Sequence, residues 1–156
     1  LINIDIPGRG EYSLANIVLD LNGTIALDGK LIEDVGEMLS RLGHYIKLFV
    51  VSADTFDSAS YLKGNLDAEI LLVKKGNEAI QKLELVKKLG CKNTVAIGNG
   101  TNDAAMLRES AIGICVMGKE GASKEALFAA DVVVNDIYSA IDLLINYRRL
   151  VATLRS

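Results

Sequence analysis

Chemistry in this chain begins with an aspartate that an apolar run delivers into a glycine turn. Ile17-Val18-Leu19 leads into Asp20-Leu21-Asn22-Gly23-Thr24. The pattern puts a carboxylate at the carboxyl end of a buried strand, where open α/β sheets bind ligands. A solubilising role does not suit Asp20 if the three residues before it are core. A matching segment lies far along the chain, where Thr94-Val95-Ala96-Ile97 leads into Gly98-Asn99-Gly100-Thr101-Asn102-Asp103. Two apolar runs ending in Asp, Asn and Gly place hard oxygen donors and permissive backbone at the top of one sheet. Carboxylate and amide oxygens suit a hard metal ion, and turn N–H groups beside glycine suit phosphoryl oxygens. The combination points to a phosphate and metal site.

The elements that must position these residues follow from periodicity. Pro7-Gly8-Arg9-Gly10 is a turn signal, so residues 2–6 and 11–19 read as a hairpin leading into the first core strand. The spacing of Val35, Met38, Leu39 and Leu42 predicts a helix over 33–42. Strands are expected at 45–51, 70–73, 94–97, 112–117 and 131–134. Helices are expected from a cap at Asp54 or Thr55 to about Lys63, over 77–89 (apolar face Ile80, Leu83, Val86, Leu89), over 102–109 and 122–129, and from Asp136 onward. Strand and helix alternate, which predicts an α/β fold, a doubly wound Rossmann-like parallel sheet. Residues 1–156 read as a single domain: a hairpin extension over 1–15, a core over 16–145 and a helical tail over 146–156.

Composition narrows the function classes. Half of the residues are hydrophobic, aromatics are only 5% and Trp is absent. Such a core rests on Val, Ile, Leu and Ala, as parallel sheets do. A net charge of −3 offers no basic footprint for nucleic acid. No apolar run approaches the roughly 18 residues of a membrane span, and the first residues do not resemble a signal peptide. Cys91 and Cys115 form no CxxC pair, which fits a reducing compartment. The expected location is cytoplasmic.

Four segments, in order, resemble the haloacid dehalogenase superfamily of aspartate-nucleophile phosphotransferases, and within it the phosphorylation domain of P-type ATPases. Asp20-Leu21-Asn22-Gly23-Thr24 resembles the phosphorylated-aspartate motif. Ser52-Ala53-Asp54 resembles the Thr-Gly-Asp segment, Gln81-Lys82-Leu83-Glu84-Leu85-Val86 the helix bearing the phosphate-binding lysine, and Gly98–Asp103 the magnesium motif. The likeness covers about residues 16–145. It implies a magnesium-dependent phosphohydrolase in which Asp20 attacks phosphorus and forms an aspartyl phosphate. Ser52 and Lys82 would serve the phosphoryl oxygens, with Leu21, Asn22, Gly23 and Ala53 completing the phosphate cradle. Asp20, the backbone carbonyl of Asn22, Asn99 and Asp103 would serve Mg2+, directly or through water. Lys75, just ahead of Gly76, is the rival to Lys82.

The chain also departs from that pattern. Most phosphatases of the superfamily carry Asp two residues after the nucleophile as general acid and base, a role typically worth about 10²–10⁴ in rate. Asn22 stands there and cannot shuttle a proton; the ATPases have Thr. Asn99 stands where a magnesium-binding Asp is usual. Together the two amides remove two negative charges, which predicts weak Mg2+ affinity and slow phosphoenzyme hydrolysis. Both precede glycine, and deamidation of Asn-Gly would restore Asp, a route to trace activity in aged protein. Residues 21–51 and 53–81 each hold roughly a helix and a strand, leaving no room for a cap domain. A homo-oligomer closing the site is therefore expected, through the hairpin or the final helix.

The alternative to a slow phosphatase is a non-catalytic relative acting as an oligomeric module that binds phosphate or a phosphorylated partner. A nucleotide-binding domain without phosphoryl chemistry is a weaker reading, because Asp103 stands where a dinucleotide fingerprint needs its third Gly. His44 reads as structural or solvated. The stretch Tyr147–Leu154, with Arg148, Arg149 and Arg155, reads as a solvated or subunit-contact face.

Overall fold

Apolar strand segments and the helices between them assemble as a doubly wound sheet. The structure is a computed structural model that describes residues 1–53 and 56–156, with backbone alone at 56 and 57. An antiparallel hairpin of β1 (Ile2–Ile6) and β2 (Gly10–Leu14) leads into β3 (Asn16–Asp20). A two-residue-strand hairpin follows, β4 (Ala26–Leu27) and β5 (Lys30–Leu31), and then α1 (Val35–Gly43). Next come β6 (Lys47–Ser52), α2 (Phe56–Asn65), β7 (Glu69–Leu72) and α3 (Glu78–Leu89). The second half holds β8 (Thr94–Gly98), α4 (Ala104–Glu109), β9 (Ile112–Val116), α5 (Lys124–Ala129) and β10 (Val132–Val134). It ends in α6 (Ile137–Ile145) and α7 (Tyr147–Leu154).

Six strands form one parallel sheet in the order β10-β9-β8-β3-β6-β7. The chain leaves β3 toward β6 and β7, then returns to the other side of β3 for β8, β9 and β10. The order therefore reverses between β3 and β8, the crevice where this architecture binds ligands.

The pleat sorts the strand side chains into two cores. Ile17 and Leu19, Leu48 and Val50, Val95 and Ile97, and Ile112 and Ile114 face one layer, with α1, α6, α7 and the amino-terminal hairpin. Val18, Phe49, Val51, Ala96 and Cys115 face the other, with α3, α4 and α5. Burial of each such Ile, Leu or Phe stabilises the fold by about 1.5–3 kcal/mol. Ile2, Ile4, Ile6, Leu14, Leu150 and Leu154 belong to the first core, so hairpin and final helix pack as part of it. Arg9 is tied to Asp131 at 2.8 Å. Among the described residues no cap is evident, and no helix is long and apolar enough to cross a membrane.

Three details differ from the sequence reading. The β4–β5 hairpin was not foreseen, yet Leu27-Asp28-Gly29-Lys30 carries its signal: Asp28 and Gly29 have φ of 50° and 78°, the primed turn that Asp-Gly favours. On α3 the buried residues are Lys82 and Val86, while Ile80 is exposed. The face expected through Ile80 is therefore rotated, because α3 must deliver a cation as well as a hydrophobe. The final helix is also broken at Asn146 into α6 and α7. The expected cap at Asp54 or Thr55 lies outside the described residues.

Candidate active site

Asp20 ends the central strand β3, paired with Val51 of β6, and β8 flanks the same strand on its other side. Beyond β8, residues 99–103 turn sharply and fold the Asp103 carboxylate back on the strand end. Its Oδ2 accepts from the backbone N–H groups of Asn99 at 3.0 Å and Gly100 at 2.9 Å. This return needs glycine at 98: a Cβ there would stand 2.5 Å from Asp103 Cγ. From the second core, Val86 anchors α3 against the sheet, and Lys82 lies one turn earlier on the same face, 2% exposed.

Lys82 Nζ reaches Asp20 Oδ1 at 2.7 Å, Asp103 Oδ1 at 2.7 Å and Asn102 Oδ1 at 2.8 Å. An ammonium has three N–H donors, so the buried cation is fully satisfied. The charges are not balanced: two carboxylates share one lysine, leaving one negative charge in a buried site. Burial first, and then the neighbouring Asp103 charge, push the Asp20 carboxyl up from 3.8 to about 7 against the pull of Lys82. Burial draws Lys82 down, but the Asp20 and Asp103 charges outweigh it and leave its pKa raised.

The same surplus appears in the hydrogen bonds. Thr24 Oγ1 lies 3.4 Å from Asp20 Oδ2 and 3.2 Å from Asn99 Oδ1. One hydroxyl proton is thus shared among three converging oxygens. A proton-poor cluster of hard oxygens with net negative charge fits a divalent cation such as Mg2+. Among the described residues no three His, Cys, Asp or Glu side chains are grouped to hold a metal. A cation here would therefore depend on amide, hydroxyl or carbonyl oxygens beside Asp20.

The remaining expected residues are placed as follows. Ser52 ends β6, one residue past the Val51 that pairs with Asp20, and is 2% exposed; Ala53 is half-buried. Leu21 is buried in the first core, and Asn22 is exposed. Gly23 has φ +78°, and a Cβ on it would stand 2.2 Å from Glu120 Oε2 and 2.7 Å from Asn99 Nδ2. Asn99 is buried, and its Nδ2 donates to the Gly121 carbonyl at 3.1 Å. Asp20, Lys82, Asn99 and Asp103 thus converge, whereas Lys75 is exposed. Sequence reading missed Thr24 and Asn102 as site residues although both lie inside the motifs. Glu120 also lies close by, against Gly23, on a Gly118-Lys119-Glu120-Gly121 turn that carries only a loop signal in the sequence.

Both Asn-Gly pairs are held against deamidation. Ring closure needs the glycine nitrogen as nucleophile. The Gly23 N–H is bonded to the Ala26 carbonyl at 2.9 Å and the Gly100 N–H to Asp103 Oδ2 at 2.9 Å. The folded site thus opposes the restoration of Asp that the dipeptides suggest.

Residues 53–139 match the model of the haloacid dehalogenase-like hydrolase family. An uncharacterised protein of Methanocaldococcus jannaschii is 45% identical over 86 residues, which span 53% of this chain and 92% of that protein. The 3-deoxy-D-manno-octulosonate 8-phosphate phosphatase of Moraxella catarrhalis, solved with magnesium ion, phosphate ion and KDO, superposes with a TM-score of 0.67. It is 18% identical, over 91% of this chain and 94% of that one. A zinc-transporting PIB-type ATPase gives a TM-score of 0.64 at 24% identity, over 79% of this chain and 20% of the transporter. At these identities the two solved structures share its fold.

Proposed function

Given that the chain belongs to the haloacid dehalogenase-like hydrolases, we propose that it is a magnesium-dependent phosphohydrolase acting through an aspartyl phosphate at Asp20. The observation that carries this reading is the buried Asp20–Lys82–Asp103 cluster at the sheet's switch point, one negative charge in excess of neutrality. A carboxylate that resists ionisation on its own becomes a competent nucleophile once a cation offsets that charge. Asp20, Asn99 and the Asn22 carbonyl would hold Mg2+, with Asp103 beside them. When bound, the ion neutralises developing charge on the transferring phosphoryl group.

In the first half-reaction an Asp20 oxygen forms a bond to phosphorus and the ester P–O bond breaks. The leaving alkoxide takes a proton from water, because the Asn22 amide can donate a hydrogen bond but cannot transfer a proton. Lys82, already bonded to Asp20 Oδ1, passes one N–H to a phosphoryl oxygen, and Ser52 adds a hydroxyl. In the second half-reaction water attacks phosphorus, the bond to Asp20 breaks, the carboxylate is freed, and the phosphate leaves carrying the water's protons. Asn22 cannot accept the water's proton, so this step is slow.

The neighbour acting on 3-deoxy-D-manno-octulosonate 8-phosphate supports small phosphomonoesters as the substrate class. An uncapped mouth supports a second copy of the chain over it, and the two free thiols support a cytoplasmic setting. Exposed, proton-inert Asn22 also favours a second reading, a phosphate-binding regulatory module. An assay with p-nitrophenyl phosphate and acetyl phosphate, with and without Mg2+, decides between them. Magnesium-dependent turnover lost in Asp20→Asn supports the hydrolase, and absence of turnover at high Mg2+ supports the module.

A further inference from the structure

The two amides at 22 and 99 leave the metal side of the site short of negative charge, and the turn between β9 and α5 brings one back. Residues 118–121 close on themselves through Gly121 N–H and the Gly118 carbonyl at 2.9 Å. Two bonds fasten this turn to Asn99: its Nδ2 donates to the Gly121 carbonyl at 3.1 Å, and Ser123 N–H donates to its backbone carbonyl at 2.8 Å. Glu120 rides on the turn with its carboxylate against Gly23. A Cβ on Gly23 would be 2.2 Å from Glu120 Oε2 and 2.7 Å from Asn99 Nδ2. The carboxylate therefore lies against Gly23, beside the Asn99 amide nitrogen and next in sequence to the Asn22 carbonyl and Thr24. Glu120 is exposed and, among the described residues, makes no hydrogen bond or ion pair.

We propose that Glu120 supplies the negative charge that Asn99 lacks, acting on the divalent-cation site from across the Gly23 turn without itself ligating the ion. The proposal rests on the reading of this site as a metal-dependent phosphoryl-transfer centre. It gives Asn99 a reason to be an amide. Its NH2 holds the Gly121 carbonyl, which a carboxylate cannot do, while its oxygen stays on the cation side. The charge is moved from 99 to 120, and the loop that bears it is pinned by the substituted residue.

Calorimetric titration of the chain with MgCl2, repeated with Mn2+ read by electron paramagnetic resonance, tests this. Glu120→Gln is expected to weaken Mg2+ binding about tenfold at low ionic strength, as loss of a unit charge several ångströms from a divalent ion in a wet site implies. The difference should shrink as salt is added. Glu120→Asp should recover part of the affinity, and the metal-free unfolding midpoint of each variant should match the parent. Unchanged Mg2+ affinity in Glu120→Gln, with binding abolished in Asp20→Asn, would overturn the role of Glu120 and leave the metal site standing. A parent chain that takes up neither ion would overturn both.

Discussion

Replacing Asp20, the proposed nucleophile, should stabilise the metal-free protein, and by an amount that depends on pH. Asp20 titrates near 7 in the fold, raised to about 7 from an ordinary value of 3.8. Below about pH 4 the carboxyl is protonated folded and unfolded, and its differential contribution is zero. Between about 4 and 7 the unfolded chain ionises while the folded chain keeps its proton. Stability therefore falls with rising pH through that window and levels off above it. At about 1.4 kcal/mol per pH unit the full loss is on the order of 4 kcal/mol. Asp20→Asn removes the titration but also a charged partner of Lys82, a loss of about 1.5–3 kcal/mol for a charge-assisted bond. The net expectation is a gain of about 1–2.5 kcal/mol at pH 8 and a loss of about 0.5–2 kcal/mol at about pH 4.5. Urea unfolding at both pH values with EDTA present measures this directly. A pH-independent effect, or destabilisation at pH 8, would refute the charge imbalance of the Asp20–Lys82–Asp103 cluster.

Other consequences follow from the same geometry. Asn22→Asp should speed phosphoenzyme hydrolysis by about 10²–10⁴ with little change in folding stability, measured by single-turnover decay of the phosphorylated protein. Mg2+ affinity should fall about tenfold per pH unit below about 7, because a proton and the cation compete for Asp20; titrations at pH 6 and 8 check it. Gly98→Ala should destabilise the fold by about 1–3 kcal/mol or more and abolish activity, since the added carbon collides with the Asp103 carboxyl group at 2.5 Å; thermal unfolding and the phosphatase assay read both.

The sheet was legible because its strands are apolar runs punctuated by Asp, Asn and Gly, and because helical spacing separates them. Asp20 stood out for the same reason: a charge closing an apolar run is costly to bury unless a site partners it; Asp103, beyond the Gly98–Asn102 turn, stood out only through the likeness of that turn to the magnesium motif. Lys82 needed more than periodicity. The apolar face through Ile80 and Leu83 suggests a helix buried on that side, yet satisfying Lys82 in three hydrogen bonds turns the Lys82–Val86 face inward. Glu120 was illegible for the opposite reason. Its place beside Gly23 arises from contact between two loops more than ninety residues apart, and no local pattern records such a meeting. The β4–β5 hairpin carries its signal at Asp28-Gly29, hidden in a stretch that reads as the approach to α1.

The most direct test is to trap the covalent intermediate. Fresh protein incubated with acetyl phosphate and Mg2+, quenched in acid and digested, should show one added phosphoryl group on the peptide bearing Asp20. The label should be released by hydroxylamine and absent from Asp20→Asn. A chain that gains no phosphoryl group under these conditions, or gains it on another residue, would rule out phosphoryl transfer through Asp20.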